Sequence, residues 1–255
     1  MAIVIAVTLQ KGGVGKTTTS QALASCLTNI NKKVLLIDFD KQADCTYSSG
    51  VNNPQKTVTD VLDERCHAAD AIIHCDWYDL LPADEYLVNV ENDNDVKPTL
   101  LKKVLAPVLD RYDYVVIDTP PALGNLSFNA MVASDYIVVP SEVRPYSLKG
   151  LSALNQTIKT VQKHYNPNLK VLGILLVKYH DRTILNRDIK DMTEEYAAEM
   201  GTTVFETKIR EGIAVGEAQT VREPLIAYDK NSKPSLDYIM FAKEVDEKIR
   251  KMGEK

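Results

Sequence analysis

Two lysines on one glycine-rich loop, and three aspartates that close apolar runs, are the side chains of this 255-residue chain whose types and spacing point to chemistry. Residues 10–19 read Gln-Lys-Gly-Gly-Val-Gly-Lys-Thr-Thr-Thr. Gly12, Gly13 and Gly15 let the backbone bend so that several N–H groups aim at one anion, and a helix that starts at the end of the loop adds the partial positive charge of its N-terminus. Lys16 is placed to reach the β- and γ-phosphates of a nucleotide and the Thr17 hydroxyl to ligate Mg²⁺, with Val14 and Thr18 completing the cradle. A P-loop ordinarily opens with glycine where this chain has Gln10, and a second lysine, Lys11, follows it. A phosphate gripped by Lys16 and the loop amides has no need of Lys11, so the second lysine points to another task.

Such a cradle needs a strand before it and a helix after it. Residues 2–7 are a β-branched apolar run, and apolar residues recur at helical spacing over 21–27. A second apolar strand at 33–37 ends in Asp38-Phe39-Asp40, and a third, over 112–117, ends in Asp118 followed by Thr119-Pro120-Pro121. Carboxylates that close buried parallel strands lie on the sheet edge where ligands bind in open α/β folds. Period-two alternation points Asp38 and Asp40 the same way. Asp118 stands where P-loop enzymes hold Mg²⁺ directly or through water. The proline pair and Gly124 then make a stiff turn with one hinge, suited to sensing a γ-phosphate. Further strands at 77–82, 135–140, 170–177 and 202–205 alternate with helices at 57–62, 68–73, 100–109, 147–164, 184–200 and 235–251. This predicts a three-layer P-loop NTPase fold: a mainly parallel, twisted sheet of about seven strands with helices on both faces. Residues 44–55, rich in Ser, Gly, Asn and Pro, read as a loop. Thr57, with Asp60 three residues on, reads as a helix cap. Leu236, Ile239, Met240, Val245 and Ile249 supply the apolar face of the last helix.

With 45% apolar residues, scattered glycine and proline and no repeat, the whole chain, 1–255, reads as one domain. No apolar run approaches the roughly 18 residues of a membrane span, and the first apolar segment leads straight into the loop, so a cytoplasmic protein is expected. Four cysteines fit a reducing compartment. The pairs Cys66-His67 and His74-Cys75 lack the spacing of the common zinc sites. Net charge is −5, and the acidity lies in the first half: 11 Lys+Arg against 17 Asp+Glu before Phe128, 19 against 18 from there on. That balance argues against a wholly basic surface and leaves room for a local basic patch in the second half.

The loop, the Asp38-Phe39-Asp40 strand end and Ile117-Asp118-Thr119-Pro120-Pro121 together strongly resemble the ParA/Soj partition ATPases, the branch of P-loop proteins with a deviant Walker A box that also includes MinD. The resemblance runs over nearly the whole chain and takes in Glu217-Ala218, Pro224 and Tyr228-Asp229. It implies a homodimer that sandwiches two ATP molecules with Mg²⁺, in which Lys11 crosses to the other subunit's phosphates as an arginine finger does. It further implies that Asp40 positions or activates the attacking water, that Asp38 supports the metal, and that Asp118 is the Walker B carboxylate. The expected partners are non-specific DNA in the ATP-bound state, hence a nucleoid association, and a ParB-like centromere-binding protein that stimulates weak hydrolysis; no stable membrane association is expected.

Two positions depart from the family pattern. Lys41 replaces a proline after Asp40, and Ala214 stands four residues before Ala218, where relatives often carry a DNA-contacting arginine. Arg210, Arg222, Lys230 and Lys233 are the candidates that remain for DNA contact. A second functional reading is a MinD-like ATPase that positions a partner complex at a membrane or cell pole. An iron–sulphur role would require cysteines after the Asp118 strand, and the chain has none beyond Cys75.

Overall fold

Short β-branched runs become strands that are buried on both faces, and their alternate residues feed opposite layers. A computed structural model describes residues 2–142, 147–180 and 184–253. In chain order the elements are β1 (Ile3–Val7), α1 (Lys16–Asn29), β2 (Val34–Asp38), α2 (Asp44–Ser48), α3 (Val58–Leu62), α4 (Ala68–Ala71), β3 (Ile73–His74), β4 (Asp79–Leu81), α5 (Leu87–Asn92) and α6 (Leu100–Leu105). There follow β5 (Tyr114–Asp118), α7 (Asn125–Ala133), β6 (Tyr136–Glu142), α8 (Ser147–His164), β7 (Lys170–Val177), α9 (Ile184–Glu199), α10 (Ala214–Val221), α11 (Leu225–Tyr228) and α12 (Lys233–Gly253).

The seven strands form one sheet in the order β3-β4-β2-β5-β1-β6-β7, parallel throughout except for β3 against β4. Ile5, Val7, Leu36 and Val116 face one layer with α1 and α12, while Val4, Ala6, Leu35, Ile37 and Ile117 face the layer of α3 to α7. A third cluster joins β6 and β7 to α8 through Leu151, Leu154, Ile158 and Val161. This is the three-layer P-loop NTPase fold expected from the alternating pattern. Because β1 lies between β5 and β6, the loop after β1 opens beside the end of β5, and β2 brings its own end in from the next position.

Several local expectations are corrected. Residues 44–48 are a helix instead of a loop, because the Thr46 amide and hydroxyl both bond the buried Asp38 carboxylate and fix the turn. The helix expected over 68–73 stops at Ala71, and the next residues add a short antiparallel edge strand. That expected over 100–109 ends at Leu105 in a tighter turn, where Pro107 cannot donate. Residues 202–205 make only an isolated bridge, Val204 to Ile174. In α12 the buried face is Tyr238, Phe241, Ala242, Val245 and Ile249, which lie on one stripe, whereas Leu236 and Met240 are exposed on the other side. Thr57 and Asp60 form the expected capping box. Among the described residues no helix is long and apolar enough to cross a membrane, and no three His, Cys, Asp or Glu gather as a metal cluster.

Candidate nucleotide site

The loop between β1 and α1 takes its shape from Gly13 (φ 73°) and Gly15 (φ 75°), both in the left-handed region that residues with a Cβ avoid. A Cβ placed on Gly12, Gly13 or Gly15 would meet nothing within 4 Å, so the loop borders open space. No side chain caps α1, whose first-turn amides therefore face that space with the helix dipole behind them. Lys16, almost fully buried, turns back over the loop and donates from Nζ to the Lys11 carbonyl (2.9 Å). Burial lowers its pKa, against the opposing pull of Asp118 and Asp40.

Three carboxylates line the edge beside the loop. Asp38 and Asp118 are direct register partners across β2 and β5 and are both fully buried. Asp38 accepts from the Asp40 amide (3.2 Å) and twice from Thr46 (2.7 Å each), yet burial still pushes it up to about 6. Asp118 Oδ1 accepts from the Ser20 hydroxyl (2.9 Å), while its Oδ2 has no partner among the described residues. Burial, and after it the Asp38 charge, push Asp118 up to about 8, against the Thr17 and Ser20 hydroxyls and Lys16. Asp40 is half-buried, accepts from the Gln42 amide (3.1 Å) and is also raised by burial.

A buried carboxylate with one orphaned oxygen, raised by burial and then by a second buried carboxylate, beside a hydroxyl and an open glycine cradle, is a donor set that suits a hard divalent cation on a phosphate. The residues thus fit Mg²⁺ and a nucleoside polyphosphate. Beside Gly15 and Thr18 lies a cavity of about 220 Å³, bordered also by Val177, Lys178, Ile209, Arg210, Glu211 and Val215. The structure therefore brings together Lys11 to Thr18, Asp38, Asp40 and Asp118.

Glu142 and Lys178 escaped the sequence reading. Glu142, nearly buried at the end of β6, accepts from Lys178 Nζ (2.6 Å) and lies 3.9 Å from Lys11 Nζ; Lys178 also donates to the Gly13 carbonyl (2.8 Å). The signal was present: an acid closing an apolar parallel strand, as at Asp38 and Asp118. Glu91 of α5 was likewise missed. Its Oε2 accepts the Leu126 amide (2.8 Å) at the start of α7, and a Cβ on Gly124 would collide with this carboxylate.

The DNA candidates do not share one setting. Arg210 grips Asp237 with Nε (2.8 Å) and Nη2 (2.6 Å) and reaches the Lys233 carbonyl. Arg222 lies over the Tyr47 ring, 3.7 Å from its centre, and donates to Asn52 (2.7 Å). Lys230 and Lys233 are exposed near the start of α12.

A family profile described as an AAA domain matches residues 2–171. Sporulation initiation inhibitor protein Soj of Bacillus subtilis (strain 168) is 38% identical over 254 residues, which are 96% of this chain and 98% of Soj. Chromosome partitioning protein ParA of Caulobacter vibrioides (strain NA1000 / CB15N) is 34% identical over 251 residues, 95% of this chain and 93% of its own length. A crystal structure of cobyrinic acid a,c-diamide synthase from Mycobacterium smegmatis, with bound ADP and magnesium, matches with a TM-score of 0.82 at 31% identity, covering 95% of this chain and 93% of that one.

Proposed function

Because the chain belongs to the ParA/Soj family of P-loop ATPases, we propose that it is an ATP-dependent dimerising switch for DNA partition. The observation that carries this reading is the contrast between the two loop lysines. Lys16 is buried and tied into its own loop, whereas the Lys11 side chain keeps 27% of its surface exposed at the rim. One is set to serve its own nucleotide; the other stands at the rim of the loop, 3.9 Å from Glu142, and we assign it to the nucleotide of a second copy.

In this mechanism the loop amides and Lys16 bind the triphosphate, and the cavity beside Thr18 takes the base. Thr17 and Asp118 would hold Mg²⁺, with Asp38 behind them; when bound, the cation would neutralise charge on the transferred phosphoryl group. Asp40 orients the attacking water, and burial, by raising its pKa, makes it a better proton acceptor than an exposed carboxylate. Lys11 from a second copy of the chain completes each site by adding positive charge as the γ-phosphate leaves. The ATP-bound dimer then offers a non-specific DNA surface, and a ParB-like centromere-binding partner speeds hydrolysis and release.

Gel filtration with and without ATP and Mg²⁺, followed by DNA shifts at two salt concentrations, tests this. A dimer that forms with ATP and Mg²⁺ and binds DNA at low salt is expected, with affinity falling by at least about tenfold between about 50 and 200 mM salt. Neither dimer nor DNA binding at low salt would sink the partition reading.

A further inference from the structure

Arg222 caps α10 with φ 61° and ψ 43°, in the left-handed region where glycine is the ordinary choice at a helix C-terminus. The Glu223 amide closes the turn onto the Ala218 carbonyl (3.0 Å). Arginine holds this backbone while its side chain makes two contacts outside α10: the stack on Tyr47 and the hydrogen bond to Asn52. Both partners lie on the stretch that leads away from Asp40, Tyr47 in α2 and Asn52 in the loop behind it. A backbone strain that survives only with the help of its surroundings is a reason to look for a task.

The neighbour of Tyr47 is Thr46, which holds Asp38 with both amide and hydroxyl and accepts the Ala83 amide (2.9 Å). Three residues before Arg222, Gln219 donates to the Thr18 hydroxyl (3.1 Å) at the phosphate loop. The eight-residue α10 is thus fastened to both arms of the nucleotide site: to the loop helix through Gln219 and to the carboxylate arm through Arg222.

We propose that Arg222 is a positioning residue, which with Gln219 braces α10 between the phosphate loop and the carboxylate arm and keeps Asp38 and Asp40 in register with Lys16 and Thr17. A change in that register is passed to α10, whose ends carry the exposed Ile213 and Val221 (82% and 52%). The effect on turnover rests on the ATPase reading above; the brace itself does not.

Arg222→Gly separates the brace from a merely structural role, because glycine accepts the left-handed turn at no steric cost while the guanidinium is lost. Hydrogen exchange of the full-length chain reads the arm directly. Residues 43–52 are expected to open about five- to tenfold more often in Arg222→Gly and Tyr47→Ala, and at the wild-type rate in Tyr47→Phe, which keeps the ring. Turnover is expected to show kcat lowered about fivefold with KM for ATP within about twofold, since the loop is untouched. Unchanged exchange in both variants overturns the brace, and so does faster exchange with unchanged kcat. If the wild-type chain hydrolyses no ATP, the ATPase reading falls, and the exchange ratio alone decides for or against the brace.

Discussion

Asp118 and Arg210 are charged groups that close two parts of the molecule, and they end in opposite conditions. Asp118 is buried, with one oxygen unpartnered among the described residues and a second carboxylate beside it. Arg210, nearly half exposed, has its fork filled by Asp237 and its remaining reach taken by a carbonyl. The same contrast holds more widely. The loop end of the sheet keeps bare amides and open space, while Arg210 and Arg222 in the C-terminal segment spend their polar groups on the chain itself. Buried polar groups in native proteins are nearly always satisfied, so the exception marks where a ligand completes the structure. A filled fork marks a joint of the fold.

The contrast breaks first at the loop lysines. Lys16→Ala should weaken nucleotide binding by at least about 100-fold in a titration with a fluorescent ATP analogue, whereas Lys11→Ala should change it by less than about threefold while removing the ATP-dependent dimer. Equal losses in both variants would defeat the division of labour between them.

A breach of comparable size concerns pH. In the ligand-free chain Asp118 is raised to about 8 and Asp38 to about 6, above an unfolded carboxyl of about 3.9. Between these limits the folded chain binds more protons than the unfolded one, so both groups make stability fall as pH rises from about 4 to 8. Asp118→Asn removes the larger part. Its Tm should drop less over that window than the wild type's and stand at least about 4 °C higher at pH 8, while Mg²⁺-dependent nucleotide affinity is lost. A variant that melts in parallel with the wild type across the window would contradict the assignment.

The joint is tested by Arg210→Ala, which strands the buried Asp237. Chemical denaturation should show a loss of about 2 kcal/mol, below the usual cost of breaking a buried pair because Arg210 is partly solvated. A loss below about 0.5 kcal/mol would show that Arg210 is not a joint of the fold.

The smallest effect belongs to Lys230 and Lys233, which are exposed. If they contact phosphates, each change to Ala should lower the salt slope of DNA binding by about one, with no change in melting temperature. An unaltered slope would return them to the solvated surface.

Much of this site was legible as pattern. The glycines and Lys16-Thr17 announce a cradle because phosphate binding needs a particular local backbone, and local backbone is written in local residue types. The strand-ending aspartates announce an edge for the same reason. Less legible was the helix at 44–48, since its shape depends on Thr46 meeting Asp38, and the buried face of α12, where aromatic packing chose Tyr238 and Phe241 over Leu236 and Met240. Glu91, Glu142 and Lys178 were readable only in part, as each works through a contact with an element distant in sequence.

The sequence by itself determined the loop, the alternating strands and helices, and that Asp38, Asp40 and Asp118 would end on the ligand edge, because these follow from spacing and period. Only the tertiary structure decided which of those carboxylates is left short of a partner, which lysine is buried, and which arginines are already held. Those are properties of the neighbours a side chain meets, and non-local packing alone selects them.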